Sequence, residues 1–364
     1  MKIVGTIVEY NPLHNGHVYA LNEIRRLSQA DVIVAVLSGD FTMRGDLSLW
    51  NKFEKTKYAL QAGVDIVIEL PFLYTVQNSD LFANYALFFL NQMGIQELWF
   101  GSESNNPAIF EDSYTKWVNE KNQEKIKAMI KNGNSYKEAT SAIINLPSND
   151  LLGFCYYKAI QENHFKISIH TIQRKGDFNS LVPESFASAY AIRSDLSLIS
   201  TYCPPYVSSK DIRNEEALFS YLKFTILNLT TKELSEFFLV EEGLENKLHE
   251  IISFTSYKEF VHHLSSRRYT KSRIQRMLLY VLFQIKKMEV EAIKKGSPSY
   301  LRVMGYSKTG LSYIQTIKKR TKIYTNIKNG IHPVFDINLK ISKILDMIYH
   351  SSEFKSEQSK PIEI

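Results

Sequence analysis

Cysteine is nearly absent from the 364 residues, which hold only Cys155 and Cys203. There is no CxxC pair and no histidine at zinc-ligand spacing. This excludes a disulfide-stapled secreted scaffold and a structural zinc module, and it fits a reducing cytoplasm. Long apolar runs are missing too: no stretch approaches the ~20 residues that a membrane span needs. The opening KIVGTIVEY is too short for a signal peptide and is broken by Glu9, so it reads as a first strand. No GxxxxGK[ST], no GxGxxG after the first apolar run and no HExxH occurs. Acidic residues are scarce in one region. From Leu264 to Gly330 there are two, Glu289 and Glu291, against 16 Lys and Arg, a local balance of +14. The rest carries 28 basic and 36 acidic residues. Such asymmetry points to a polyanionic partner, nucleic acid above all. The plainer alternative is a solvated Lys/Arg face, but the imbalance extends over several elements.

What is present fits a soluble chain of two domains: 44% hydrophobic and 23% charged residues, with 21 Tyr and 21 Phe. The first third alternates strand and helix patterns. Ile3–Val8, Asp31–Leu37, Val64–Leu70 and Gln96–Phe100 read as strands, and His17–Leu27, Lys52–Ala62 and Ser79–Met93 as helices. Apolar strands separated by single helices predict an α/β fold, a Rossmann-like, doubly wound parallel sheet. Residues 107–163 read as helical, and Ile167–Gln173 as a further strand. Cys203-Pro204-Pro205 then breaks regular structure. Beyond it Glu215–Leu227, Lys232–Leu239, Leu244–Ile252, Tyr257–Leu264 and Lys271–Ala292 predict a mainly helical C-terminal domain. The expected division is 1–200, 201–350 and, from the closing SEFKSEQSKPIEI, a frayed tail over 351–364.

The first strand ends at Glu9-Tyr10, Asn11-Pro12 breaks it, and His14-Asn15-Gly16-His17 opens a helix. In an open α/β sheet, ligands sit beyond the carboxyl ends of the strands. A helix N-terminus there offers unpaired N–H groups and a positive dipole to phosphate. Gly16, without a Cβ, lets the backbone approach a nucleotide. His14 and His17, three residues apart, can face one phosphate, donating N–H bonds and, when protonated, adding positive charge to a developing pentacoordinate phosphorus. The loop Ser38–Arg44 follows the second strand and should border the same pocket, with Arg44 near phosphate or substrate.

His14-Asn15-Gly16-His17 resembles the HxGH motif of the nucleotidylyltransferase superfamily. The surrounding VGTIVEYNPLHNGHVYAL, SGDFTMRG, DIVIELP, FGSE and LRVMGYSKTG, with the basic RIQRMLLYVL, resemble the bacterial tRNA(Met) cytidine acetate ligases over almost the whole chain. The resemblance implies that acetate attacks the α-phosphate of ATP, giving acetyl-adenylate and pyrophosphate. The N4 amine of the wobble cytidine in elongator tRNA-Met then takes the acetyl group, leaving N4-acetylcytidine and AMP. It implies that ATP contacts the run Ile7, Val8, Glu9, Tyr10, Asn11, Pro12, Leu13, His14, Asn15, Gly16, His17, Val18, Tyr19 and Ala20, with His14 and His17 catalytic, together with Gly101, Asn149 and Arg174. Each of the last three has a plainer reading: a turn glycine, a helix N-cap and a strand-end charge. Ser188-Ala189-Tyr190-Ala191-Ile192-Arg193 resembles the superfamily's SxTxIR helix start around the outer phosphates. Tyr190 stands where threonine is expected, which leaves Ser188 and Arg193 as candidate phosphate contacts. Mg²⁺ is expected only as a companion of the triphosphate, with no dedicated metal ligands.

Arg267, Arg268, Lys271, Arg273 and Arg276 bracket a helix start, and Lys318, Lys319 and Arg320, followed by Lys322, form a second cluster, with Tyr269, Tyr300 and Tyr306 interleaved. These clusters are the expected tRNA-binding residues, since phosphate neutralisation supplies affinity and aromatics stack on unpaired loop bases. At least half of the tyrosines are expected in the core. No protein partner is evident. Two further readings remain: a small-molecule adenylyltransferase, which would not need a polyanion track, and a non-catalytic RNA-binding protein, in which His14→Ala and His17→Ala would leave the tRNA modification unchanged.

Overall fold

Short β-branched runs form the centre of the sheet: β1 (Ile3–Val8), β2 (Val32–Ser38), β3 (Ile66–Leu70), β4 (Glu97–Ser102) and β5 (Ser168–Gln173). The structure is a computed structural model and describes residues 1–174, 186–294, 296 and 298–364. These five strands are parallel, in the order β5-β4-β1-β2-β3. The order therefore reverses beside β1, the switch point at which open α/β sheets bind ligands. The Asn15–Ser28 and Lys52–Gln61 helices share a core with one face of the sheet, through Val4, Ile33, Ala35 and Val67. The Ser79–Met93 and Ser148–Glu162 helices share a core with the other, through Ile3, Val34 and Ile68. Local chemistry sets the ends: Asn51 and Asn78 cap helix starts with their side chains, and Gly94 closes one in the left-handed region at φ 73°.

The C-terminal region departs from the sequence reading in three places. The LRVMGYSKTG segment supplies a strand, β6 (Tyr300–Tyr306), antiparallel to β3, and β7 (Lys322–Tyr324) pairs with it. The Glu215–Leu227, Lys271–Leu282 and Pro333–Tyr349 helices pack in the same core as the sheet, so no break between cores falls at residue 200. The expected long helix from Lys271 divides into Lys271–Leu282 and Lys287–Lys294, because Gln284 turns left-handed at φ 48° and Ile285 accepts a bond from Phe238 N–H.

The tail, too, is folded rather than frayed. β8 (Ile362–Glu363) pairs with β6, and the Glu353–Glu357 helix buries both of its end carboxylates. Glu357 lies 2.5 Å from Lys52 Nζ and 2.5 Å from Arg302 Nη1, and Glu69 lies 2.6 Å from each of the same atoms. Arg213 pairs with Glu353 and, at 3.0 Å, with Asp40. Arg302, counted in the basic region of the sequence, is therefore an internal counter-ion; it is 1% exposed. Both cysteines are buried and free. Among the described residues no helix is long and apolar enough to cross a membrane.

Candidate active site

The chain leaves β1 through Glu9 and Tyr10, the latter at φ 45°, and enters a cis Asn11–Pro12 bond. Buried Asn11 ties this turn to the loop after β2, donating from Nδ2 to Leu47 O at 3.2 Å and accepting Leu49 N–H at 2.9 Å. His14 then caps the Asn15–Ser28 helix. Its Nδ1 accepts Gly16 N–H at 3.1 Å, and His17 Nδ1 accepts His14 N–H at 3.3 Å. The imidazoles stack with centroids 3.8 Å apart, and the Tyr10 ring sits edge-on to His17 at 5.0 Å. With each Nδ1 committed as an acceptor, the proton of each neutral ring lies on Nε2. Two N–H donors therefore stand at a helix N-terminus, at the switch point of the sheet.

Burial, reinforced by the Arg174 and Arg193 guanidiniums, pushes the His14 pKa down to about 3. Burial, His14 and Arg174 hold His17 well below the ordinary histidine range. Both rings are therefore neutral near pH 7. They act as N–H donors, and the positive charge beside them comes from Arg174 and Arg193. The structure adds a second reason for Gly16. A Cβ there would stand 2.9 Å from His14 Cε1 and 3.0 Å from Nδ1, so glycine makes room for the ring of His14 itself.

Residues distant in sequence gather around this turn. Arg174 follows β5, and its stem occupies the space beside Gly101, whose Cβ would lie 3.2 Å from Arg174 Cγ. Arg193 Nη1 donates to Asn11 O at 2.5 Å. Ser188 caps the Ala189–Ser194 helix by accepting Ala191 N–H at 3.0 Å, while Tyr190 is 46% exposed. Phe186 rests against Tyr19, at 5.9 Å between rings. Asn149 is not the N-cap of its helix; Pro147 holds that position. Its side chain donates to Glu103 Oε1 at 2.5 Å, and the Glu103 carboxylate also accepts the N–H groups of Asn149 (3.3 Å) and Asp150 (3.1 Å). Asp150 answers by accepting Ser102 Oγ at 2.6 Å and the N–H groups of Glu103 and Ser104. This clamp ties the end of β4 to the helix that carries Asn149. Its signals, FGSE and LPSND, are legible in the sequence, but their pairing is not.

Arg44 is exposed on the loop after β2, near enough for its charge to lower the Glu9 carboxyl against the larger raising effect of burial. The same loop joins the site to the basic region. Met43 N–H donates to Glu9 Oε1 at 2.6 Å, and Met43 O accepts from Arg276 Nη1 at 3.4 Å. Gln275 Nε2 donates to Asp46 Oδ1 at 2.8 Å. Gly45, at φ 87°, touches the helix backbone; a Cβ would come within 2.8 Å of Arg276 N.

The basic clusters themselves separate. Lys271, Arg273 and Arg276 lie on the helix that docks this loop, with Arg267 and Arg268 just before it. Arg268 pairs with Glu242, and Arg273 with Glu241 at 2.8 Å. Lys318, Lys319 and Arg320 are exposed elsewhere. Arg320 packs against Gly94, just before β4, at the amino ends of the parallel strands and so on the edge opposite His14. Tyr300 is buried in β6 and offers no exposed stacking face, whereas Tyr306, at the end of the same strand, is half-buried.

The pattern of the HIGH nucleotidyl transferase family matches residues 1–360. The tRNA(Met) cytidine acetate ligase of Oceanobacillus iheyensis is 35% identical over 400 residues, covering all of both chains. That of Bacillus subtilis is 33% identical over 384 residues, covering 95% of this chain and 92% of the relative. Among solved structures, Thermotoga maritima TmcAL bound with alpha-thio ATP superposes with a TM-score of 0.87 at 27% identity. Its apo form gives 0.89 at 26%, and both comparisons cover the full length of both chains.

Proposed function

From the chain's place as a member of the HIGH nucleotidyl transferase family, we propose that it is an ATP-dependent ligase that activates acetate and acetylates a cytidine of tRNA(Met). Its relatives carry that activity in their names, and one is solved with an ATP analogue. The observation that supports the first step best is the pair of Nε2–H donors of His14 and His17, with Arg174 and Arg193 beside them. Acetate attacks the α-phosphate; the new oxygen–phosphorus bond displaces pyrophosphate and gives acetyl-adenylate. Imidazole N–H groups and guanidiniums at that position stabilise the charge that gathers on the phosphoryl oxygens. The run from Ile7 to Ala20, with Gly101, Asn149 and Arg174, forms the ATP site in this reading, and Ser188, Arg193 and Arg44 reach the outer phosphates or the substrate. Mg²⁺ would enter with the triphosphate and offset its charge. Among the described residues no cluster of three or more His, Cys, Asp or Glu could hold it alone.

In the second step the N4 amine of the wobble cytidine in elongator tRNA-Met attacks the acetyl carbonyl and AMP leaves. A wobble base sits in a single-stranded loop and is splayed into a pocket at little unstacking cost. The region 201–350 carries the tRNA, with the cluster from Arg267 to Arg276 nearest the site and Lys318, Lys319 and Arg320 reaching a more distant part of the same molecule. The compartment is the cytoplasm, where tRNA and ATP meet, and no protein partner is required. Incubation with ATP, labelled acetate and total tRNA, followed by nucleoside mass spectrometry, tests the reading: labelled N4-acetylcytidine is expected. Absence of acetate-dependent ATP–pyrophosphate exchange by folded protein would refute the activation step.

A further inference from the structure

Glu9 is a carboxylate whose position its structural role does not explain. Side chains of β1 alternate: Val4, Val8 and Tyr10 belong to the core of the His14 helix, and Ile3 and Ile7 to the core that contains the Lys271–Leu282 helix. Glu9 continues the second series just past the strand, at the carboxyl edge of the sheet, where the loop after β2 joins the turn to the basic helix. One peptide separates them, since the Met43 N–H bonds Glu9 while its carbonyl accepts from Arg276. Anchoring Met43 needs only an acceptor, which a neutral glutamine would supply. Among the described residues the hydrogen bond to this carboxylate is the one from Met43 N–H, on Oε1, which leaves Oε2 without a partner from them. Lys55, whose charge acts on Glu9, donates to Gly39 O (2.7 Å) and Ser48 Oγ (2.9 Å). A partly buried carboxylate with one oxygen fixed and the other unengaged by the described residues, beside a phosphate site, is arranged to take up a proton.

Accepting the ligase reading, we propose that Glu9 is the base of acetyl transfer, its Oε2 removing the proton of the acceptor's exocyclic amine. As the amine nitrogen bonds the acetyl carbon, the bond from that carbon to the AMP phosphate oxygen breaks and its electron pair leaves with AMP. The amine proton passes to Glu9 and then to water, so the step needs no further reactant. The charged and titratable groups around Glu9 are Lys55 from the Lys52–Gln61 helix, Arg44 and Asp46 from the loop after β2, and Tyr156 from the Ser148–Glu162 helix. Burial raises the carboxyl above the ordinary glutamate range; the Met43 amide, Lys55 and Arg44 moderate the rise. A base shifted towards the working pH transfers protons efficiently.

The test compares wild type with Glu9→Gln, which keeps an acceptor for Met43, in two assays on the full chain. One is acetate-dependent ATP–pyrophosphate exchange without tRNA. The other is single-turnover acetyl transfer to a tRNA-Met transcript from protein preloaded with ATP and labelled acetate. Because Glu9 also belongs to the ATP-contacting run, the readout is the ratio of the two rates: transfer should fall by about 10²–10⁴-fold more than exchange, the usual contribution of a general base. Wild-type transfer should rise with pH to a plateau, and the variant should lose that rise. Glu9→Asp, a shorter carboxylate, should restore part of the rate together with the pH dependence, which a loss of folding would not. Equal losses in both assays, transfer that persists in Glu9→Gln, or an unchanged pH profile would each overturn the assignment. Failure of wild-type exchange would instead overturn the ligase reading, and this assignment with it.

Discussion

Replacing Glu357 with glutamine removes one corner of a buried square of charges. Glu357 is fully buried, 2.5 Å from Lys52 and from Arg302, and it accepts Ser342 Oγ at 2.7 Å. Glu69 faces the same two cations at 2.6 Å, so two positive charges meet two negative ones. Glutamine is nearly isosteric, so no cavity opens, but two buried cations are left with one carboxylate between them. Breaking a buried pair in this way costs ~3–5 kcal/mol. With an unfolding entropy of about 2.1 cal/mol/K per residue, a chain of 364 residues that unfolds as one unit should lose ~4–7 °C in Tm. Scanning calorimetry of both proteins at pH 7 measures this directly. A second arm fixes the cause. Burial alone would raise the Glu357 carboxyl, but Arg302 and Lys52 outweigh it and hold it below the ordinary range. In the interval between its folded value and the unfolded value of ~4.3, the unfolded chain binds more protons, so stability rises with pH there. The gap between the two proteins should be complete at pH 7 and close in acid below that unfolded value. A Tm change under about 1 °C at pH 7, or a gap that persists unchanged into acid, would refute the reasoning.

Three other outcomes follow from the site and its surroundings. Gly16→Ala drives a Cβ into the His14 ring, and a misplacement of about 1 Å in an active site costs on the order of 10²-fold; pyrophosphate exchange should fall by about that factor while calorimetry shows a Tm within a few degrees of wild type. Burial, aided by Asp46, pushes the Glu215 carboxyl up to about 7 although it accepts Leu47 N–H. Its folded value lies above its unfolded one, so it favours the folded state at low pH, and that contribution is lost as pH rises through about 7. Glu215→Gln should therefore gain Tm relative to wild type as pH goes from 5 to 8, and a constant difference would count against it. Glu241→Gln with Glu242→Gln releases Arg273 and Arg268 from surface pairs, each worth no more than ~1 kcal/mol. Affinity for tRNA should rise and fall more steeply with salt, with little change in Tm; unaltered binding would remove these arginines from the RNA face.

The first half of the fold was legible because its signals are local. β1 and the Ser79–Met93 helix match their expected limits, since a β-branched run or a capped apolar stripe needs no distant partner to declare itself. β6 was not legible. Its Arg302 and Gly305 argue against a central strand until Glu69, Glu357 and the neighbouring Ile362 backbone are placed around them. The tail failed for the same reason: Glu353 and Glu357 look like solvated charge unless Arg213, Lys52 and Arg302 are known to be buried. At the site, His14 and His17 were readable from spacing, and Arg174 and Arg193 converge on them in space. The neutral state of the histidines and the bond from Asn149 to Glu103 depend on burial and on partners 46 residues apart, which no local pattern encodes.

The charged square also constrains how the protein is made. Lys52 and Glu69 leave the ribosome about 290 residues before Glu357, which at ~5–20 residues per second means roughly 15–60 s of translation. During that interval the parallel strands emerge with Lys52 and Glu69 paired with each other, and until β6 follows, the edge of β3 lacks its neighbour. A nascent chain in that condition exposes an open strand edge. Slow codons or stalling between β3 and β6 should therefore lower the yield of folded protein more than the same delay placed before β1 or after β8.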